Sequence, residues 1–176
     1  MKVKLYYINI LQMKTYLKLL LLCALFYSIG QPRAVADETV TFDFTQSGYI
    51  SSGTSSSDPI TEGEVTLNFT DDADCYYNNG TGFVRFKWKS YLKFSCESEI
   101  TSIQFEASNR KMSQVSASTG SFSYSNSSPF TGTWSGSTTS VNFRNYDSGG
   151  SSTNSMIYIT KITVKYVGSS TPIVVK

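Results

Sequence analysis

The 176-residue chain contains no histidine. That absence removes Ser-His-Asp and Cys-His nucleophile activation, and histidine-based metal chemistry, as these are usually built. Charged residues make up only 16% of the chain, and Ser, Thr and Asn supply most of the polar surface. Such a composition is common in extracellular β proteins. No helical period of useful length runs through the sequence, and no strong internal repeat is present. No long polar tract lacks apolar and aromatic residues, which excludes a disordered chain. The glycines fall in serine-rich turns with no helix behind them, so a phosphate-cradling loop is also excluded. The apolar run near the start is too short to span a bilayer as a helix.

That run is informative in another way. A leucine-rich stretch at 19–27 follows Lys14 and Lys18 and leads to Ala34-Val35-Ala36. Basic, apolar and small-residue segments in that order read as a secretory signal, with cleavage expected between Ala36 and Asp37. Met13 begins a more typical signal than Met1, so residues 1–12 read as a start-site extension. Leu22 precedes Cys23 where a lipidation motif takes a small residue, so removal is expected rather than lipid attachment. The expected organisation is a signal over 1–36, a β domain over 37–168 and a tail over 169–176. The expected location is secreted or cell-surface, with the periplasm as the alternative, and no transmembrane segment in the mature chain.

Cleavage would reverse the charge. The whole chain is formally +2, but Lys2, Lys4, Lys14, Lys18 and Arg33 all precede the cut. Ten basic and thirteen acidic residues remain, a net charge of −3. Nucleic acid is therefore not an expected partner. A local basic run, Arg85, Lys87, Lys89 and Lys93, reads as a solvated strand face.

Alternation defines the strands. Val40, Phe42 and Phe44 share one face, as do Val65, Leu67 and Phe69. Val84, Phe86 and Trp88 point one way, with Arg85, Lys87 and Lys89 opposite. Leu92, Phe94 and Cys96 follow after a break near Ser90. Ile103, Phe105 and Ala107 come next, then Phe122 and Tyr124, then Phe130, Gly132 and Trp134, then Val141 and Phe143. In the last run, Ile157 and Ile159 are out of phase with Ile162, Val164 and Tyr166. A β-bulge near Thr160-Lys161 would restore the register. About nine or ten short strands separated by Gly, Ser and Asn turns predict an all-β fold, a β-sandwich of jelly-roll-like type.

The succession Thr41-Phe42-Asp43-Phe44, Gly82-Phe83-Val84-Arg85-Phe86, Tyr91-Leu92-Lys93-Phe94, Ile100-Thr101-Ser102-Ile103-Gln104-Phe105, Thr133-Trp134-Ser135-Gly136, Ser140-Val141-Asn142-Phe143 and Ile159-Thr160-Lys161-Ile162-Thr163-Val164-Lys165-Tyr166 resembles β-sandwich modules of secreted and surface proteins of Bacteroidetes, of Bacteroides and Prevotella type. The resemblance covers nearly the whole segment after residue 36. It implies a non-catalytic, carbohydrate-binding-like or adhesive module, and it transfers no functional residues.

Two cysteines follow the signal. Cys75 and Cys96 allow one disulfide in an oxidising compartment. The alternative is two thiols, with Cys96 packed as a small hydrophobe beside Phe94. The loop holding Asp71, Asp72 and Asp74 offers three carboxylates near Asn78 and Asn79, donors that suit a structural calcium. It lacks the EF-hand spacing, and a solvated acidic turn is the plainer account. Tyr76 and Tyr77, beside those amides, are candidates to stack on a sugar ring, because sugars offer C–H faces and hydroxyl edges. Tyr91 and Tyr146 are further candidates for ligand contact. Trp88 and Trp134 both share faces with apolar neighbours and are expected in the core.

Catalysis would have to rest on paired carboxylates, Glu62 with Glu64 or Glu97 with Glu99. Exposed acids at strand ends are the ordinary explanation, and no enzyme is expected. Two functions compete: glycan binding through loop aromatics, or a structural or adhesive surface protein working by protein contact along an edge strand. The apolar tail Thr171-Pro172-Ile173-Val174-Val175-Lys176 would favour the second if it paired with a partner.

Overall fold

In the computed structural model, the residues described are 14–18, 35–46, 55–56, 58–69, 76–78, 82–146 and 156–168. The chain divides into two compact units, Met1–Ala34 and Val35–Lys176. In the first, residues 14–18 form one short exposed helix. Among the described residues, no helix is long and apolar enough to cross a membrane.

The second unit is all-β. Its strands are β1 (Asp37–Asp43), β2 (Ser55–Ser56), β3 (Ile60–Glu62), β4 (Val65–Phe69), β5 (Tyr76–Asn78), β6 (Phe83–Phe86), β7 (Tyr91–Ala107), β8 (Val115–Ala117), β9 (Ser121–Tyr124), β10 (Phe130–Asn145) and β11 (Ile157–Val167). All the pairings are antiparallel. The all-β expectation of about nine or ten strands holds; eleven are present among the described residues, and the small difference has two opposed sources. The two- and three-residue strands are too short to show alternation. Conversely, apolar runs that look separate in sequence fuse, Leu92 with Ile103 in β7 and Trp134 with Val141 in β10.

β7 and β10 are long enough to serve two layers each. The first half of β7 pairs with β4, and its second half with β11. The first half of β10 pairs with β9, and its end pairs with β8. β11 is bordered on its other side by β6 at Ile157–Ile159 and by β1 further along. One continuous sheet thus bends over on itself, and the two layers of the expected sandwich are its two halves. Aromatic rings close the gap between them. Phe94 meets Phe42 and Phe105 edge-on at 6.4 and 6.0 Å. Phe143 meets Phe105 at 4.8 Å and Trp134 at 6.4 Å. Each fully buried side chain of this size contributes about 2 kcal/mol by leaving water.

Bending requires the alternation to slip, because otherwise every side chain past the bend would face the wrong side. In β11, one extra residue lies between Ile159 and Lys161, as the phase of the sequence predicts. The extra residue is Thr160; its hydroxyl donates to Glu106 O at 3.2 Å and its carbonyl accepts from Phe44 N at 3.0 Å. In β7, burial passes from Phe94, Cys96 and Ile100 to Ile103, Phe105 and Ala107. Thr101 is extra there, and its hydroxyl reaches Lys165 O at 3.3 Å. β10 slips between Ser135 and Ser140, where the Thr138 hydroxyl accepts from Ser140 N and donates to Ser140 O. Threonine suits each of these places, since its hydroxyl can bond backbone groups where the ladder is broken.

Candidate functional site

The turn between β6 and β7 departs from the expected pattern and creates the most distinctive surface. Strand β6 stops at Phe86. Lys89 takes a left-handed backbone, φ 66°, a region that costs a non-glycine residue roughly 1 kcal/mol or more. The conformation is held from the side by Asn145, the last residue of β10. Asn145 Nδ2 donates to Phe86 O at 2.9 Å, its carbonyl accepts from Lys89 N at 2.9 Å, and its own N–H reaches Ser90 O at 3.3 Å. The Ser90 hydroxyl adds a bond to Lys87 O at 2.8 Å. Asn145 and Ser90 are fully buried, so these bonds form away from competing water.

The turn corrects one expectation. Trp88 is not in the core; it is 41% exposed, with the Lys89 ammonium 4.2 Å from its ring centre. Alternation from Val84 and Phe86 ends when the strand ends. The sequence places a break near Ser90, but no Gly, Pro or Asn in Lys87-Trp88-Lys89-Ser90 marks that the strand already ends before Trp88. Trp134, by contrast, is fully buried, as expected.

The same hydrogen bonds place residues on either side of Asn145 beside the turn. Arg144 lies opposite Tyr91 in the β7–β10 register and opposite Ser116 in the β8–β10 register. Its guanidinium carbon sits 4.9 Å from the centre of the Tyr91 ring and 4.8 Å from that of Tyr146. Tyr146 is 50% exposed, and its backbone is fastened by N–H donation to Gln114 O at 2.8 Å. Two of the tyrosines selected from sequence as ligand contacts, Tyr91 and Tyr146, thus meet through an arginine that was not selected. Arg144 carries no local motif; only cross-strand register reveals it.

The remaining sequence candidates are distributed as follows. Tyr76, Tyr77 and Asn78 form β5, between β2 and β6, with Tyr76 opposite Arg85 and Asn78 opposite Phe83. Asp71, Asp72, Asp74, Cys75 and Asn79 lie outside the described residues, as do 169–176. Cys96 is buried and its thiol is free. Among the described residues, no group of three acidic or thiol side chains could hold a metal ion.

Of the carboxylate pairs, Glu97 and Glu99 lie exposed two positions apart on one face of β7, as expected, whereas the other pair is separated. Glu62 ends β3, and Glu64 sits in the turn before β4, so they do not share one strand face. Glu64 instead lines an open depression of ≈ 330 Å³ with Glu97, Thr66, Ser95 and Cys96. Ser98 donates to Glu64 Oε2 at 3.2 Å, and Ser137 donates to Glu99 Oε2 at 2.7 Å.

Two buried acids near this end of the sheet make stability sensitive to alkali. Burial first, and then the hydrogen bond to Glu38 at 2.9 Å and that carboxylate's charge, push the Tyr166 phenol up. Burial likewise pushes the Cys96 thiol up. Both folded-state pKa values exceed the unfolded ones, so the folded chain holds more protons once the unfolded groups ionise. Their contribution is intact below the ordinary thiol and phenol ranges and is lost as pH rises through the raised values. The melting temperature should therefore begin to fall as pH rises past about 8, where an ordinary thiol starts to ionise, and go on falling through the ordinary phenol range. The Cys96→Ala, Tyr166→Phe double variant should show a shallower fall; an equal slope in that variant would refute the assignment.

No protein-family model, curated protein or solved structure matches this chain.

Proposed function

We propose that the chain is a secreted or surface-held, non-catalytic β-sandwich module that binds carbohydrate at the corner formed by Trp88, Tyr91, Arg144 and Tyr146. The observation that carries this is the exposure of Trp88 and Tyr146 on backbone held in place by the buried hydrogen bonds of Asn145 and by donation from Tyr146 N to Gln114 O. Large apolar rings left in water on a rigid turn are a poor use of a core residue and a good platform for the C–H face of a sugar. Polar groups lie close by for the hydroxyl edges. Ser116 is in register with Arg144, and Asn142 is in register with Lys93. Rigid aromatic anchors lose little entropy when a ligand arrives.

A screen of the protein against a glycan array tests this. Selective capture is expected, with Trp88→Ala and Tyr146→Ala each weakening it by about tenfold. Both side chains are exposed, so the fold should be kept. Capture of no glycan by folded protein, or wild-type capture by both variants, would end the carbohydrate assignment.

One observation favours the adhesive alternative. β9 (Ser121–Tyr124) is paired only with β10 among the described residues, and Tyr124 is exposed beside that edge. An open edge can accept a strand from another protein.

A further inference from the structure

We propose that the corner selects anionic glycans, polysaccharides bearing carboxylate or sulfate groups, over neutral ones; this rests on the carbohydrate assignment above and names its ligand class. The first ground is charge. Arg144 and Lys93 lie on one face of β7 and β10, and Lys89 lies in the adjoining turn, its N–H bonded to the carbonyl of Asn145 next to Arg144. Among the described residues none of the three is paired with a carboxylate, whereas Lys161 is paired with Glu106 at 3.6 Å. The segment after residue 36 carries more acids than bases, so this concentration does not reflect a general basic excess. Acidic groups are found further along the same face, where Glu97 and Glu64 line the depression beside Ser95.

The second ground is geometry. Tyr91 and Lys93 are two positions apart on β7 and therefore project from the same side of the sheet. Lys93 is exposed, and lies in register with Asn68 of β4 on one side and Asn142 of β10 on the other. One ammonium flanked by two amide-bearing residues, beside a row holding Tyr91 and Arg144, combines a charge with hydroxyl-binding groups.

The third ground is the state of Arg144. Its guanidinium lies over two tyrosine rings, and its buried Nε has no hydrogen-bond partner. Rings attract the cation without satisfying its N–H donors. The side chain is thus ordered before a ligand arrives, and its fork of donors matches a carboxylate or sulfate in two bonds. A neutral sugar can accept from those donors but brings no charge to pair with the guanidinium. Aromatic and cationic groups together also suit single-stranded nucleic acid, but three cations on a net-acidic segment are a small complement for a continuous phosphate backbone.

Titration of the whole protein, at about 0.15 M salt, with four polysaccharides and an oligothymidylate tests the proposal. The probes are polygalacturonate and its full methyl ester, and dextran sulfate and dextran. At least one anionic member should bind about tenfold or more tightly than its neutral partner, and added salt should weaken it. Arg144→Gln should reduce that affinity about tenfold and Lys93→Gln about threefold. Lys93 is exposed, so its variant carries the test if the Arg144 variant does not fold. Equal binding of neutral and anionic partners, still lost in Trp88→Ala, would overturn the charge selectivity and leave carbohydrate binding standing. Binding of no polysaccharide by folded protein would overturn both. Tighter binding of the oligothymidylate than of any polysaccharide would overturn the glycan in favour of nucleic acid.

Discussion

Trp134→Ala is expected to destabilise the fold by about 3–5 kcal/mol, a large fraction of the stability of a typical domain. Trp134 is 0% exposed and stands edge-on to Phe143. Its indole N–H donates to Thr119 O at 2.6 Å, which fastens the β8–β9 connection to the core. Alanine would leave a large cavity and remove that donor together. Gly120 and Gly136 lie directly against the indole, but backbone packed in a sheet collapses poorly into a void. Urea unfolding measures the loss as a lower midpoint. Trp134→Phe separates the two contributions, since it restores much of the volume without the donor. A midpoint within error of wild type for the alanine variant would contradict this account of the core.

Gly120→Ala is expected to destabilise by about 2–4 kcal/mol for the opposite reason, inserted volume. Gly120 has φ +72°, in the left-handed region where a Cβ is disfavoured. A methyl group there would stand 2.5 Å from Trp134 Nε1 and 2.6 Å from Ser135 O. Neither neighbour can yield cheaply: one is a buried ring held by its hydrogen bond, the other is backbone. Because part of the clash is with the indole, the two substitutions should not be additive. Gly120→Ala should cost less in a Trp134→Leu background than in wild type, measured by a double-mutant cycle. Full additivity would place the whole penalty in the backbone conformation and the Ser135 carbonyl. A neutral Gly120→Ala in wild type would refute the packing described here.

Much of the scaffold was legible because burial in a sheet has a period of two. Phe42, Leu67, Phe94, Phe105 and Val164 are all placed inward by alternation, and all are buried. Even the bulge at Thr160 could be read, since Ile159 and Ile162 cannot share a face without it. The fusions into β7 and β10 could not be read in this way. Alternation is interrupted at Thr101 and around Thr138, and an interruption looks the same whether the chain turns back or bends between layers.

The corner shows the same division. Tyr91 and Tyr146 were read from the sequence as candidates for ligand contact. In the fold Tyr146 is exposed, while Arg144 lies over the half-buried Tyr91 ring. Trp88 was misplaced, because alternation assumes that the strand continues. Composition and local periodicity determined the all-β class, most inward-facing residues and the absence of histidine, because these depend only on residue identity and near neighbours along the chain. Tertiary structure alone decided that Lys89 adopts a left-handed turn, that Trp88 faces solvent, and that Arg144 joins Tyr91 to Tyr146. Each of these depends on hydrogen bonds or register between strands far apart in sequence, above all the buried bonds from Asn145, and local residue patterns carry no information about such partners.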